Sequence, residues 1–519
     1  MAMRSTYDYV VVGAGSAGCV VAGRLARGDA QVLLVEAGGT NRIPAVTVPG
    51  KWPLLLDTEA DWGFRTTPQP GLAQRRLHWP RGRILGGTGS MNAMVYIRGS
   101  KSDFDGWREL GNEGWGYDDV LPYFLASEDN HELHDRYHGR GGPLAVTTAP
   151  YRHPLTAAFL EAAQHTGLRH NPDFNGATQD GYGTYQVLAK DWARWTTADG
   201  YLTGQPQLDV MLHARTLNII IDRGRAVGVR LFHEGAVHEV RAQREIVLCA
   251  GAIGSPQLLM LSGVGPPDHL REHGIPVAVP SPGVGGNLVD HLSVRVRWAV
   301  RASAGEWPPS AEAAEREYAE HRRGPLSSPI VEAGAFTATA DGTPFQVLFL
   351  PTLGSAHDGA RPSRPGFHMT GYQLLPASHG TVRLASNDPL DPPRIDPAYF
   401  SEAHDHRVAV DIVHAMRRLG AAPGLSAHVE SETAPGLEAH DDAAIDTYVR
   451  TTAATLFHPV GTCKMGIDAH AVVDPQLRVR GVEGLRVADA SAMPTMVSGN
   501  TNATVIMIAE KASRLILGG

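Results

Sequence analysis

The stretch Asp8–Gly39, DYVVVGAGSAGCVVAGRLARGDAQVLLVEAGG, decides the fold of this chain. Tyr9–Val12 is a short apolar run rich in β-branched residues, and it predicts a buried strand. Gly13, Gly15 and Gly18 follow as G-x-G-x-x-G, at the point where that strand should turn into a helix. A strand, a glycine turn and a helix in this order hold the phosphates of a dinucleotide at the helix N-terminus. The segment therefore predicts the first βαβ unit of a dinucleotide-binding domain.

Each part of this unit has a distinct physical role. Gly13 allows the tight turn, Gly15 lets the backbone approach a pyrophosphate, and Gly18 lets the helix pack closely on the strand. The second predicted strand, Val32–Val35, ends in Glu36, where a carboxylate can accept hydrogen bonds from the ribose hydroxyls of adenosine. The combination is far more specific than a glycine triplet alone.

Length and charge narrow the class of protein. A chain of 519 residues is long enough for two or more lobes with a large core. The net charge of −8 comes from 46 basic and 54 acidic side chains, without a basic block. This balance argues against nucleic acid or an anionic membrane as the main partner.

Cysteine spacing and the N-terminus bear on the cellular compartment. Cys19, Cys249 and Cys463 are too few and too far apart for a disulfide framework or a zinc motif, which fits a reducing compartment. No apolar run approaches the length of a transmembrane segment, and MAMRSTYDY leads straight into the first strand without room for a signal peptide. These features predict a cytoplasmic protein.

Further segments suggest how the chain is divided. Gly86–Ser90 is a glycine-rich loop suited to a phosphate or a flat ring, and Ile246–Cys249 and Leu485–Val487 are short buried strands. Thr501–Leu517 predicts a closing helix, whereas HMTGYQLLPASHGTVRLASNDP (368–389) alternates like antiparallel strands. The sequence thus predicts a discontinuous nucleotide-binding domain of residues 1–146, 205–300 and 451–519, and a substrate-binding domain and lid of residues 147–204 and 301–450.

Six segments, taken in order, resemble the glucose–methanol–choline (GMC) oxidoreductases, in particular the bacterial choline-dehydrogenase-like proteins. They are the N-terminal fingerprint, GRILGGTGSMNAMVYIRGSKSDFD, GAIGSPQLLMLSGVG, PGVGGNLVDH, HPVGTCKMG and VADASAMPTMVSGNTNATVIMIAEKA. The family consists of FAD-dependent alcohol dehydrogenases and oxidases, and the resemblance covers nearly the whole chain. It implies an α/β plus α+β fold, in which a Rossmann-like FAD-binding domain carries an inserted antiparallel-sheet substrate domain.

The resemblance also implies the catalytic residues. His458 matches the catalytic histidine of the family, and Asn502 falls where the family places its second member, either His or Asn. Oxidation of a primary alcohol to an aldehyde needs a base for the hydroxyl proton while hydride passes to flavin N5. A neutral histidine can accept that proton near pH 7, and the amide of Asn502 could hold the oxygen. Asn502 could also serve as a helix N-cap.

The cofactor is expected to be FAD without a covalent link, because Met91 stands where some relatives carry a flavin-linked histidine. Asn92 and Ala93 are expected near the N5 side of the flavin. The residues expected to bind the cofactor are Gly13, Ala14, Gly15, Ser16, Ala17, Gly18, Glu36, Ala37, Arg83, Gly86, Gly87, Thr88, Gly89, Asn92, Ala93, Met94, Val95, Thr216, Ala250, Gly251, Asp489, Ala490, Asn500 and Thr501.

The substrate is less closely specified. Phe457 stands where choline oxidases have Tyr, and an apolar wall there suits an aromatic or aliphatic primary alcohol. Glu332 could supply a carboxylate to the pocket or act as a structural ion-pair partner. The electron acceptor could be oxygen, a quinone or another molecule. The alternative within the fold is a hydroxynitrile lyase with FAD as a structural cofactor. No metal site is predicted, since Glu402–His406 lacks a second cluster of ligands.

Overall fold

The computed structural model describes residues 4–301, 310–354 and 364–518, so residues 302–309 and 355–363 of the predicted substrate domain lie outside the described residues. Its helices are α1 (Ser16–Leu25), α2 (Pro44–Thr47), α3 (Lys101–Glu109), α4 (Tyr117–Ser127), α5 (Pro154–His165), α6 (Thr197–Tyr201), α7 (Gly251–Leu261), α8 (Pro267–Glu272), α9 (Ala311–His321), α10 (Ala403–Ala421), α11 (Asp442–Thr452) and α12 (Asn502–Leu517). Its strands are β1 (Thr6–Val12), β2 (Val32–Val35), β3 (Phe64–Arg65), β4 (His78–Trp79), β5 (Glu128–Asn130), β6 (Leu144–Thr148), β7 (Gly181–Thr184), β8 (Gln186–Lys190), β9 (Ala193–Arg194), β10 (Leu208–Met211), β11 (Arg215–Asp222), β12 (Arg225–His233), β13 (Ala236–Leu248), β14 (Val264–Gly265), β15 (Val279–Pro280), β16 (Leu292–Val300), β17 (Ala333–Ala338), β18 (Pro344–Leu350), β19 (Gly366–Gln373), β20 (Thr381–Arg383), β21 (Arg394–Asp396), β22 (Val429–Ala434), β23 (Ala454–Thr455) and β24 (Leu485–Val487).

The first large sheet contains the dinucleotide-type unit predicted from the N-terminus. Its strand order is β10-β2-β1-β13-β12-β11, and β24 joins it by pairing with β13. β1 runs parallel to both neighbours, with Val10 opposite Leu33 and Ile246. All three side chains are fully buried, as in parallel sheets that are covered on both faces. The carboxyl ends of β1, β2 and β13 therefore meet at one edge of the sheet.

The second large sheet is antiparallel and has the order β22-β16-β19-β18-β17-β7, with β23 paired to β16. Arg295 lies opposite Thr370, which lies opposite Leu348, so these three side chains share one face. α10 packs against β16 and β19 from the other side. The strands expected in 368–389 are present as β19 and β20, and the predicted fold class is confirmed by the two sheets.

The sheets divide the chain differently from the sequence prediction at two places. β16 falls within 205–300, which was assigned to the nucleotide-binding domain, yet it lies inside the antiparallel sheet. α6 falls within 147–204, which was assigned to the substrate domain, yet it packs against α1, the helix that packs on β1 and β2 of the first sheet. A single strand or short helix does not carry in its own sequence the identity of the layer it joins. The chain therefore crosses between the layers more often than composition suggested.

Two further expectations concern the cysteines and the membrane. Cys19, Cys249 and Cys463 are all buried and none of them forms a disulfide. Among the residues that the structure describes, no helix combines the length and the hydropathy that crossing a bilayer requires.

Candidate active site

A cavity of about 510 Å³ extends from the carboxyl edge of the first sheet to the face of the second. Val12, Glu36 and Cys249, at or just after the ends of β1, β2 and β13, line what we call the nucleotide end. Leu348 and Thr370, on the antiparallel sheet, line what we call the substrate end. The two sheets thus supply opposite walls of one site.

The three glycines of the fingerprint have the geometry that their predicted roles require. Gly13 has φ +95°, a left-handed conformation that favours glycine. A Cβ on Gly18 would lie 1.8 Å from the carbonyl oxygen of Gly13, so only glycine lets α1 approach the turn. A Cβ on Gly15 would have no neighbour closer than 4.0 Å, and Gly15 lines the cavity. The space above Gly15 therefore belongs to the cavity and not to the protein core.

Two polar side chains at the nucleotide end fit an adenosine. Glu36 accepts hydrogen bonds from the backbone N–H of Ala14 at 3.0 Å and of Gly38 at 2.8 Å, which fixes its carboxylate at the cavity wall. Burial raises the pKa of Glu36 to about 7, and bonding to a ribose hydroxyl would favour its charged form. The Thr216 hydroxyl also lines the cavity and is buried without a protein partner in the described part of the chain.

The second glycine loop lies directly against the first. A Cβ on Gly87 would lie 2.6 Å from the Cα of Gly15, so the two loops form one cradle. Arg194 holds the end of this loop by donating to the side-chain oxygen of Asn92 at 2.8 Å and to its carbonyl at 2.7 Å. Asn92 lines the cavity and also accepts from the N–H of Met94 at 2.9 Å. Sequence reasoning missed Arg194, because an isolated arginine in a weakly patterned segment gives no signal.

His458 lies in the wall of the cavity with only 8% of its surface exposed. Its Nδ1 is 2.9 Å from Nδ1 of His291, whose Nε2 is 2.8 Å from the carbonyl oxygen of Leu374. A carbonyl can only accept, so His291 carries its proton on Nε2 and its neutral ring accepts at Nδ1. His458 must then donate from Nδ1, which leaves a lone pair on its Nε2. The hydrogen bonds therefore select the tautomer that a general base needs.

The electrostatic surroundings keep both rings neutral. Burial lowers the pKa of His291 to about 4. Burial, the neighbouring His291 and the Arg81 guanidinium hold the pKa of His458 well below its ordinary value. The backbone N–H of His458 donates to Asp290 at 2.7 Å, and Arg81 donates to the carbonyl of Phe457 at 2.6 Å. His458 is thus fixed through its backbone as well as through its ring.

Asn500, not Asn502, is the asparagine that contacts the histidine. Asn500 Nδ2 lies 3.3 Å from Nε2 of His458. Asn502 instead accepts a hydrogen bond from the Ser16 hydroxyl at 2.6 Å and is the first residue of α12, so it is not the N-cap either. The two asparagines are two residues apart on a turn that enters a helix, where neighbouring side chains point in different directions. The sequence could not decide between them, although Asn500 was expected at the cofactor.

His291, Asp290 and Arg81 were given no role by the sequence reasoning, although a signal was available. Asp290 and His291 end the segment PGVGGNLVDH, and Arg81 precedes GRILGG; both segments carried the family resemblance. Asp290 is buried and also accepts from the hydroxyls of Tyr399 and of Thr455. His291, Asp290 and Arg81 thus fix the position of His458 through its ring, its backbone N–H and the preceding carbonyl.

The other predicted residues separate into those that line the cavity and those that lie behind it. Phe457 lines it, with φ +68°. Glu332 does not line the cavity, which corrects its assignment to the substrate pocket. Its carboxylate accepts three hydrogen bonds inside the protein, from neutral donors and not from the ion-pair partner that was the alternative. The predicted cofactor residues in the lining are Gly13, Gly15, Ser16, Ala17, Glu36, Ala37, Gly87, Thr88, Asn92, Ala93, Met94, Val95, Thr216, Ala250, Gly251, Asp489, Ala490, Asn500 and Thr501. Those outside the lining are Ala14, Gly18, Arg83, Gly86 and Gly89.

Comparison with known proteins identifies the family of this chain. Two family models, both described as GMC oxidoreductase, match the chain, the N-terminal one over residues 7–293 and the C-terminal one over residues 376–509. The chain belongs to the GMC oxidoreductase family. It is 39% identical to an alcohol dehydrogenase [acceptor] of Pseudomonas putida, over 98% of this chain and 96% of the relative. It is 40% identical to the mitochondrial choline dehydrogenase of Homo sapiens, over 99% of this chain and 90% of the relative.

A solved structure shares the fold of this chain. Formate oxidase of Aspergillus oryzae, determined in work on its FAD modification, superposes with a TM-score of 0.94 at 28% identity, covering 99% of each chain. This GMC oxidoreductase is therefore an FAD-dependent enzyme that acts on CH–OH groups of small molecules. The glycine cradle, Glu36 and the unpartnered Thr216 hydroxyl are the features of the cavity that fit FAD.

Proposed function

We propose that this GMC oxidoreductase oxidises a primary alcohol to an aldehyde, with Nε2 of His458 taking the hydroxyl proton. The observation that carries the proposal is the hydrogen-bond chain from Leu374 through His291 to His458, which leaves Nε2 of His458 without a proton at the cavity wall, 3.3 Å from the Asn500 amide nitrogen. A neutral imidazole with one unprotonated nitrogen is the form that accepts a proton.

FAD, when bound, supplies the hydride acceptor at flavin N5. The amide of Asn500 donates to the alcohol oxygen as its proton leaves, since Asn500 Nδ2 already lies beside Nε2 of His458. Arg81 adds a positive charge near the same oxygen and keeps His458 unprotonated before reaction. We assign the second catalytic role to Asn500 rather than Asn502 for this reason.

The lining of the substrate end favours an uncharged aliphatic or aromatic alcohol. In the described part of the chain the acidic residues of the cavity wall are Glu36 and Asp489, and both lie at the nucleotide end. Of the described residues that the antiparallel sheet contributes to the cavity wall, Arg295 is the one with a permanent charge. A quaternary ammonium group is normally held by aromatic faces and a carboxylate. The choline reaction named for one relative is therefore not the one we propose here.

We further propose that FAD is held without a covalent bond. Met91 lines the cavity in the glycine loop, and a thioether does not form the link that a histidine forms there. Precipitation with acid should release all of the yellow colour into the supernatant. Colour that stayed with the pellet would contradict this proposal.

The function is tested by recording the visible spectrum of the purified holoenzyme anaerobically with straight-chain and benzylic primary alcohols. We expect at least one alcohol to bleach the flavin, and readmission of air to show whether oxygen is an efficient acceptor or whether a quinone or dye is needed. A flavin that stayed oxidised with every alcohol would overturn the proposal. No observation favours the hydroxynitrile lyase alternative.

A further inference from the structure

Residues Ser328–Glu332, here called the 328–332 turn, contribute Ile330 and Val331 to the cavity wall, and the proposed chemistry gives these two residues no role. Ile330 and Val331 line the substrate end, next to the apolar wall of Leu348 and Leu350. Ile330 has φ +76°, a left-handed conformation that is rare for any residue with a branched Cβ. The surrounding structure must therefore hold this backbone in place.

Two sets of hydrogen bonds hold the 328–332 turn from inside the cavity wall. The Ser328 hydroxyl accepts from the N–H of Ile330 at 3.1 Å and donates to Glu332 at 2.7 Å. The indole N–H of Trp52 donates to the carbonyl of Pro329 at 3.0 Å. Trp52 also lines the cavity, so the residue that clamps the turn forms the adjoining wall.

Glu332 anchors the turn to the substrate domain. Its side chain accepts from the N–H of His153 at 2.8 Å and from the Thr156 hydroxyl at 2.5 Å, both at the start of α5. Burial raises the pKa of this carboxyl group, and the hydrogen bonds oppose that effect. A carboxylate that faces away from the cavity and is satisfied by protein donors acts on the substrate only through the turn that it holds.

We propose that Ile330 is a specificity-determining residue that limits the length of the apolar chain of the alcohol, and that Glu332 is the positioning residue that holds Ile330 in the cavity wall. This inference rests on the proposed function, since it names the dimension of the substrate that the same site selects. A rigid turn with a branched side chain cannot yield to a longer substrate. Discrimination at an apolar wall of this kind amounts to roughly 10–200-fold for one methylene group.

The test compares wild type with Ile330→Gly and Ile330→Ala on straight-chain primary alcohols of increasing length. We expect the ratio of kcat/KM for long over short alcohols to rise about tenfold or more in both variants, since the wall recedes. Ile330→Gly should also melt at a higher temperature than Ile330→Ala, because glycine adopts the left-handed backbone without strain. Ile467→Ala, at a side chain that is 66% exposed, is the matched control. It should leave both the ratio of kcat/KM for long over short alcohols and the melting temperature as in wild type.

Glu332→Leu tests the anchor, because it keeps a side chain of similar size but removes the acceptors for the His153, Thr156 and Ser328 donors. We expect KM for the preferred alcohol to rise with kcat and flavin content little changed, and the preference for short alcohols to weaken. A length profile identical to wild type in active Ile330 variants would overturn the inference. If wild type oxidised no alcohol, the proposed function would fail. Binding of the same alcohols, followed by their perturbation of the flavin spectrum, would then decide the role of Ile330.

Discussion

The nucleotide end and the substrate end of the cavity are built in opposite ways. At the nucleotide end, Gly13, Gly15 and Gly18 act within a single turn, through backbone conformation and the absence of side chains. At the substrate end, His458 depends on His291 and Asn500, which belong to separate segments of the chain. One end uses local backbone geometry and the other uses side chains that only folding assembles. Substitutions at the nucleotide end should therefore abolish FAD binding, whereas substitutions at the substrate end should slow turnover and leave FAD bound.

The largest effect is expected from Gly15→Val. The backbone of Gly15 has φ −74°, which any residue adopts, and its Cβ position is open, so the variant should fold. The added side chain would occupy the space of the pyrophosphate, and the purified protein should be colourless. Gly28→Ala, where a Cβ meets no atom within 4 Å, is the control and should stay yellow. A yellow Gly15→Val protein would show that the pyrophosphate does not occupy the space above Gly15, and the account of the nucleotide end would be wrong.

His458→Ala should retain FAD but lose turnover by roughly two to four decades, the usual cost of removing a general base. Stopped-flow measurement of flavin reduction under anaerobic conditions reports this step directly. His440→Ala, at a side chain that is 77% exposed, should react like wild type. Undiminished reduction in His458→Ala would require another base.

Replacing Asn500 and Asn502 by Ala, one at a time, separates a residue that acts on the reaction from one that stabilises the fold. Asn500→Ala should slow flavin reduction by about 10²-fold, as removal of one donor to a reacting oxygen does. Asn502→Ala removes the hydrogen bond to Ser16 and should cost about 1 kcal/mol of folding stability with a smaller effect on reduction. Thermal melting and reduction kinetics of both variants separate these outcomes, and the reverse pattern would restore Asn502 as the catalytic partner.

The smallest effect concerns pH. His458 must be unprotonated to act, so kcat/KM falls as the pH drops through its pKa. Burial, His291 and Arg81 lower that pKa, so the acidic limb should lie below the ordinary histidine value of about 6.5. Arg81→Gln removes one of these causes and should move the limb toward higher pH. A wild-type limb above pH 7 would contradict the electrostatic account of the site.

The predicted features that the structure contains are those that depend on near neighbours. The strand Val32–Val35 is present, and Glu36 and the fingerprint glycines lie at the turns where spacing along one βαβ unit puts them. The parts that the sequence missed are contacts between distant segments. Glu332 was as plausible in the pocket as outside it until α5 was seen to supply its donors.

The sequence by itself determined that the protein has a dinucleotide-binding fold of the GMC type, because that information lies in local apolar periodicity and in glycine spacing. The tertiary structure alone decided which asparagine meets His458, which nitrogen of that ring is left without a proton, and which residues line the cavity beside Leu348. These depend on directions and distances between segments far apart in the chain. A hydrogen bond acts over about 3 Å, and no spacing in a sequence specifies that distance between remote residues.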